Sequence, residues 1–282
     1  MKTLSSIASV RTWCSTQRGK IVFVPTMGAL HAGHLALIRH ARSLAGSTGR
    51  VAVSIFVNPT QFAPGEDFKK YPRDAKRDAS LCREAGVDLL FTPEAAKMYP
   101  ADASTRIEEN LVSQPLCGAQ RPGHFSGVCT IVAKLFLILR PDIAVFGEKD
   151  WQQLVVLRRM VRDLNFPIRL VGHPIVREAD GLALSSRNRY LSSTERAAAP
   201  EIFATLKAAK KRVSDGEKNI PALRRFVISR LKKIPNVKLD YAEIVDAESL
   251  QPLNKASRAI LAVAVKLGKT RLIDNIKLPL RA

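Results

Sequence analysis

Cysteine is scarce in this chain: four in 282 residues, at Cys14, Cys82, Cys117 and Cys129, with no C-x-x-C pair. That spacing excludes a zinc ribbon or a disulfide framework and leaves reduced packing residues. No apolar run is long enough to span a bilayer; the longest, Val128 to Leu139, is interrupted by Lys134. Met1 to Cys14 carries one Lys and a weakly apolar mix of Ser, Ala, Ile and Val, a poor signal peptide, so a cytoplasmic protein is expected. Neither G-x-x-x-x-G-K-[ST] nor G-x-G-x-x-G occurs, which argues against P-loop phosphoryl transfer and dinucleotide redox chemistry. There is no internal repeat and no low-complexity tract.

What the chain does have is ordinary apolar content, 46%, enough for one large domain or two unequal ones, and an excess of positive charge, +20. Such a charge raises the possibility of a nucleic-acid binder. The basic residues are nevertheless spread (Arg39, Lys69, Arg158, Lys210, Lys232, Arg258), without a long block or aromatic interleaving. The charge therefore makes no separate case for nucleic acid, and it suits solvated faces around an anion-binding enzyme equally well.

Hydrophobic patterning predicts alternating strands and helices up to about residue 176. Strands are expected at Ile21–Val24, Val51–Val57, Val87–Phe91, Ile143–Phe146 and Ile168–Val171. These runs are apolar throughout rather than alternating, as in a parallel sheet covered on both faces. Helices are expected from about Leu35 to Gly46, over Asp74–Ala85 and Ser126–Leu139, and from an Asp150 N-cap to Leu164, with an irregular stretch over Thr92–Gly123. Beyond residue 176 the texture changes to amphipathic helices at Thr194–Val213 and Pro221–Lys233, then short strands at Val237–Val245, Ala259–Val265 and Arg271–Ile276. The expectation is an α/β protein: a Rossmann-like doubly wound parallel sheet in residues 1–176 and a smaller α+β domain in 177–282.

Polar motifs follow the expected strands. Met27-Gly28-Ala29-Leu30-His31-Ala32-Gly33-His34 follows the first, Asn58-Pro59-Thr60-Gln61 the second, and Gly147-Glu148-Lys149-Asp150 the fourth; Leu184-Ser185-Ser186-Arg187 comes after the fifth and its extension. Ligands of open α/β sheets bind beyond the carboxyl ends of the strands, so these segments are candidates for one crevice. Five His and 15 Gly make an H-x-G-H by chance only about 0.005 times in such a chain. At a helix start it marks an anion site, where unpaired N–H groups and the helix dipole favour phosphate. A zinc pair needs a third ligand, and the other histidines, His124 and His173 among them, stand in unhelpful contexts. Lys149, Ser185, Ser186 and Arg187 suit a mobile phosphate clamp, and Gln61 and Gln153 suit a carboxylate or hydroxyl. Each, taken alone, also reads as an ordinary solvated loop residue.

The H-x-G-H turn with a later Ser-rich loop resembles the nucleotidyltransferase superfamily related to class I aminoacyl-tRNA synthetases. Pro25–His31, Ser54–Pro59, Tyr71-Pro72-Arg73, Arg121–Phe125, Phe146–Asp150 and Gly181–Asn188 resemble the pantothenate synthetase family within it, and a weaker likeness continues to Arg271–Asn275. The resemblance implies a cytoplasmic homodimer that joins pantoate to β-alanine with ATP, through a pantoyl adenylate, releasing AMP and pyrophosphate. It implies that Met27–His34, Gly147–Asp150, Val176 and Leu184–Arg187 contact ATP. His34 would be the catalytic histidine, a cationic donor to the leaving group, assisted by His31. Lys149, Ser185, Ser186 and Arg187 would hold the β- and γ-phosphates, and Gln61 and Gln153 pantoate, with Gln61 later meeting β-alanine. Mg²⁺ is implied with ATP. Where the family often carries two adjacent acids after Tyr-Pro-Arg this chain reads Arg77-Asp78, so no metal ligand is assigned. The C-terminal domain is implied to act as a lid.

Overall fold

A computed structural model describes residues 1–63, 65–253 and 258–279. The chain divides into two compact units, the first made of residues 1–110, 121–148 and 156–174, the second of 111–120, 149–155 and the chain from Ile175 on.

The first unit is built on a parallel sheet. Its strands are β1 (Lys2–Leu4), β2 (Ile21–Thr26), β3 (Arg50–Ile55), β4 (Leu89–Phe91), β5 (Ile143–Gly147) and β6 (Arg169–His173), in the order β1-β4-β3-β2-β5-β6. All pairs are parallel, so each connection crosses over, and helices cover the faces. The helices include α1 (Ile7–Ser15), α2 (Ala32–Ala45), α3 (Ala75–Glu84) and α6 (His124–Leu139); the four-residue α4 (Ala95–Met98) lies in the stretch read as irregular. Double-sided cover explains why Val22, Val24, Val51, Val53 and Val145 are all fully buried.

The sequence reading expected five strands in this unit, and the sheet has six. The missed strand, β1, is three residues long, too short to show a period, and is defined only by its pairing with β4. The order reverses between β2 and β5, and the sheet opens there. The β2–β5 ladder covers only Val22↔Ile143 and Phe23↔Ala144, whereas β2–β3 continues to Thr26↔Ile55. Pro25 sits just past the last β5 pairing, where a missing N–H costs no ladder bond on that side. That is why β2 runs on through the proline at which it was expected to end.

The second unit holds the antiparallel sheet β7 (Val237–Asp246), β8 (Ala259–Leu267) and β9 (Thr270–Lys277). Its helices include the four-residue α5 (Cys117–Gln120), α8 (Ser193–Ala198), α9 (Glu201–Ser214) and α10 (Ile220–Leu231). Its core joins Leu206, Leu223, Val227, Leu231, Leu261 and Val265, all fully buried. The single helix expected over 194–213 is two helices, broken at Pro200, which lacks the N–H an uninterrupted helix needs. The expected Asp150 N-cap is also replaced: Glu148–Asp150 is a 3-10 turn running directly into α7 (Trp151–Asp163).

Among the described residues no helix is long and apolar enough to cross a membrane. The four cysteines are unpaired, and burial pushes the Cys82 and Cys129 thiols up to about 12, well away from reactive thiolates.

Gly127 sets how closely α6 lies on the turn at residues 59–61. A Cβ there would meet the Thr60 carbonyl oxygen at 2.3 Å and the Gln61 nitrogen at 2.8 Å. Gly127→Ala is expected to lower stability by about 1–3 kcal/mol in urea denaturation; a change below about 0.5 kcal/mol would show slack between helix and turn.

Candidate active site

In the first unit, the turn after β2 is left-handed at two successive residues, Gly28 (φ 81°) and Ala29 (φ 51°). Gly28 is required there: besides its φ, a Cβ would sit 3.0 Å from Asp78 Oδ2 and from Ile55 Cγ2. Two fasteners hold the turn. Thr26 Oγ1 accepts from the Gly28 N–H and donates to the Ser54 carbonyl. Asp78, on α3 and 1% exposed, accepts the N–H groups of Ala29 and Leu30 at 2.8 Å each, one per carboxylate oxygen. Arg77 donates to the Leu30 carbonyl at 3.0 Å.

The turn delivers His31 and His34 to the start of α2. His31 Nδ1 accepts from the Gly33 N–H at 3.1 Å, and His34 Nδ1 accepts from the His31 N–H at 3.3 Å, a reciprocal capping box made by two histidines. The rings lie 4.1 Å apart, centroid to centroid. The cap uses Nδ1 of each ring, so Nε2 is the ring nitrogen of each histidine that lies outside it.

Gln61 ends the 3-10 turn Pro59–Gln61 that follows β3, and its Nε2 lies 2.9 Å from Met27 Sδ, which brings the two motifs together. Its carbonyl accepts from Arg121 Nη2 at 3.1 Å and His124 Nδ1 at 2.8 Å. Arg121 also pairs with Glu66 at 2.6 Å. Burial raises the Glu66 carboxyl, but the Arg121 hydrogen bonds and charge outweigh it and hold it below its ordinary value. Arg121–His124, a motif with no role in the sequence reading beyond its resemblance, thus anchors Gln61. Gly147 and Glu148 stand at the end of β5.

In the second unit, Lys149 pairs with Asp150 at 3.1 Å, and its carbonyl accepts from Asn275 Nδ2 at 3.0 Å. Gln152 is buried and consumes its amide on Cys117, Val112 and Pro115 main-chain groups. Gln153, next along α7 and half-buried, points about 100° away from that anchor. Val176 and Leu184 pair across a short hairpin that turns at Asp180-Gly181. Ser185 then caps the 3-10 turn Ser186–Tyr190, accepting from the Arg187 N–H.

This segment, expected as a mobile clamp, is braced. Arg177 donates to the Gly181 carbonyl, pairs with buried Asp274 at 2.6 and 2.9 Å, and stacks 3.5 Å over the Phe203 ring. Arg196 pairs with Glu178 and Asp180 at 2.6 Å each. Asn188 donates to the Ala183 carbonyl. The neighbours Asp274 and Asn275 thus support the hairpin and Lys149 respectively. They lie in the Arg271–Asn275 stretch that the sequence reading quoted without a role. Asp78, Asn58, Asp274 and Asn275 are the supporting residues it missed. All four stand in stretches that the sequence reading quoted, but nothing in the sequence pairs them with the main-chain groups they hold.

Among the described residues no group of three or more His, Cys, Asp or Glu side chains could hold a metal ion. Asp78, the one acid at the expected pair, is turned to the main chain. Asp78→Asn would set an NH₂ against a main-chain N–H, and it is expected to cost about 1–3 kcal/mol of stability in urea denaturation. An unchanged midpoint would show that the turn holds itself.

The chain matches the sequence profile of the family described as Pantoate-beta-alanine ligase over residues 2–277. It is 50% identical over 279 residues to the pantothenate synthetase of Thermotoga neapolitana, covering 98% of this chain and 99% of that one. It is 50% identical over 280 residues to that of Heliobacterium modesticaldum, with the same coverage. The crystal structure of pantothenate synthetase from Thermus thermophilus superposes with a TM-score of 0.92 at 47% identity, over 99% of this chain and 100% of that one. The Francisella tularensis pantoate-beta-alanine ligase, solved in complex with beta-gamma ATP and beta-alanine, gives 0.79 at 35% identity, over 98% and 97%. With its sheet opened at the β2–β5 reversal and a paired-histidine cap beside it, this chain belongs to the pantoate–β-alanine ligase family.

Proposed function

We propose that the protein condenses pantoate with β-alanine at the expense of ATP, giving pantothenate, AMP and pyrophosphate. The observation that carries this reading is the H-x-G-H cap at the end of β2, where the strand order reverses, in a chain of this family.

A carboxylate is a poor acyl donor, so the acid is first activated. A pantoate carboxylate oxygen attacks the α-phosphorus of ATP, the bond to the bridging oxygen breaks, and pyrophosphate leaves. The β-alanine amine then attacks the acyl carbon of the pantoyl adenylate. The acyl–oxygen bond breaks, AMP leaves with that electron pair, and the amine loses a proton.

In this reading Met27 to His34, Gly147 to Asp150, Val176 and Leu184 to Arg187 bind ATP. The Nε2–H groups of His34 and His31 meet charge that develops on the phosphates, fixed in advance by their Nδ1 bonds. Lys149, Ser185, Ser186 and Arg187 serve the β- and γ-phosphates, Lys149 as a point charge and Arg187 as a fork. Gln61 and Gln153 hold pantoate, and Gln61 afterwards meets β-alanine. Mg²⁺ would accompany ATP and neutralise the charge of its triphosphate. The net charge of +20 suits two anionic substrates, ATP and pantoate, and no nucleic acid partner is invoked. A cytoplasmic homodimer whose C-terminal part works as a lid completes the proposal.

The direct test is pyrophosphate release from ATP. Pantoate alone is expected to release it, with AMP and pantothenate following when β-alanine is added; absence of pantoate-dependent release would sink the reading. His34→Ala is expected to lower turnover by roughly 10²–10³-fold, the usual loss for a donor to transition-state charge, and a tenfold or smaller drop would remove His34 from that role.

A further inference from the structure

Asn58 is 1% exposed and caps the turn that ends in Gln61. Its Oδ1 accepts from the Tyr99 hydroxyl at 2.9 Å, the Thr60 hydroxyl at 2.9 Å and the Thr60 N–H at 3.4 Å. Its Nδ2 donates to the Gly127 carbonyl and to Gln61 Oε1, each at 3.1 Å. A main-chain carbonyl only accepts and a main-chain N–H only donates. Gly127 on one side and Thr60 on the other therefore allow Asn58 a single orientation.

That orientation passes on. With the Asn58 NH₂ turned toward it, Gln61 must present Oε1 to Asn58, and its own NH₂ faces the other way, beside Met27 Sδ at 2.9 Å. A thioether sulfur is a weak acceptor, so it leaves that NH₂ available to a better one. Gln61 cannot turn over without setting NH₂ against NH₂ inside a buried network.

We propose that Tyr99 and Asn58 are positioning residues that make Gln61 a one-way donor. The substrate atom placed there must then be an acceptor, a carboxylate or hydroxyl oxygen, and an ammonium is rejected. The proposal rests on Gln61 as a pantoate-binding residue. It deepens that reading, because the same polarity discriminates between the two substrates: Gln61 receives pantoate, and receives β-alanine only through its carboxylate end. The amine is thereby kept out of the pantoate position until the acid has been activated.

The test uses full-length enzyme and pantoate-dependent pyrophosphate release, with KM measured separately for pantoate and for ATP. Gln61→Glu keeps the bond from Asn58 but turns the outward donor into an acceptor. Asn58→Asp removes the NH₂ that orients Gln61, and Tyr99→Phe removes one donor to Oδ1. The first two are each expected to raise pantoate KM about 10- to 100-fold, the cost of losing a hydrogen bond to a charged group, with ATP KM held within about threefold. Tyr99→Phe is expected to raise it less, by about three- to tenfold, since the two Thr60 bonds remain. The double variant Asn58→Asp/Gln61→Glu is expected to lie within about threefold of Asn58→Asp alone, because both changes remove the same outward donor. If Gln61→Glu raises pantoate KM while Asn58→Asp and Tyr99→Phe do not, the orienting chain is wrong and Gln61 keeps its place. If Gln61→Glu leaves pantoate KM unchanged, the pantoate assignment itself fails. Equal rises in the KM of both substrates would show a general structural defect and overturn the proposal. Should Asn58→Asp fail to fold by thermal melting, Tyr99→Phe decides, and no change in its pantoate KM counts against the chain.

Discussion

The Asp78 carboxylate is the contact on which the histidine pair depends. Gly28 and Ala29 take left-handed backbone, unfavourable for alanine, and leave successive N–H groups of the turn pointing to one side. A single carboxylate gathers two of them, at Ala29 and Leu30. Such charge-assisted bonds are stronger than neutral ones, and burial sharpens the difference. With the turn fixed, α2 begins at Ala32, and the two rings have main-chain N–H groups to cap. Each Asp78 carboxylate oxygen is aimed at the backbone, so in this structure the acid works to hold the turn.

The other site residues are held by the same kind of contact. Asn275 holds the carbonyl of Lys149; Asn188 holds that of Ala183, two residues before Ser185; Arg121 and His124 hold that of Gln61. In each case a side chain grips the main chain of a stretch proposed to face ligand. The ligand-facing side chain is left to do chemistry while its backbone is fixed. Preorganisation of this kind matters for adenylation, since donors already in place when charge develops incur no reorganisation. Each of the two units carries its own braces: Asp78, Asn58 and Arg121 in the first, Asp274, Asn275 and Arg196 in the second.

Much of the fold was legible because parallel strands buried on both faces write themselves as apolar runs. Five such runs and the helix stop at Gly46 were readable. What failed to show was local structure fixed by a distant partner. β1 is a strand only because β4 lies beside it, and β2 passes through Pro25 only because the β5 ladder has already ended. The candidate site divides in the same way. Residues proposed to face ligand, such as His34, Lys149 and Arg187, stand in compact motifs after strand ends. Their supports stand far away in sequence: Asp78 is 49 positions from Ala29, and Asn275 is 126 from Lys149. No periodicity connects such pairs, and a buried aspartate in a helix looks like any surface acid until its partners are known.

The part the histidine rings play in the cap follows from the same geometry. A capping box normally sets a hydroxyl at the N-cap against a Glu or Gln three residues on. Here imidazoles take both places, and each offers the backbone a lone pair at Nδ1. The ring centroids lie 4.1 Å apart, and each ring is aimed by the main-chain N–H it accepts from. In the proposed reaction the histidine cap gives direction, and Lys149 and Arg187, whose charge does not depend on a choice of tautomer, give charge.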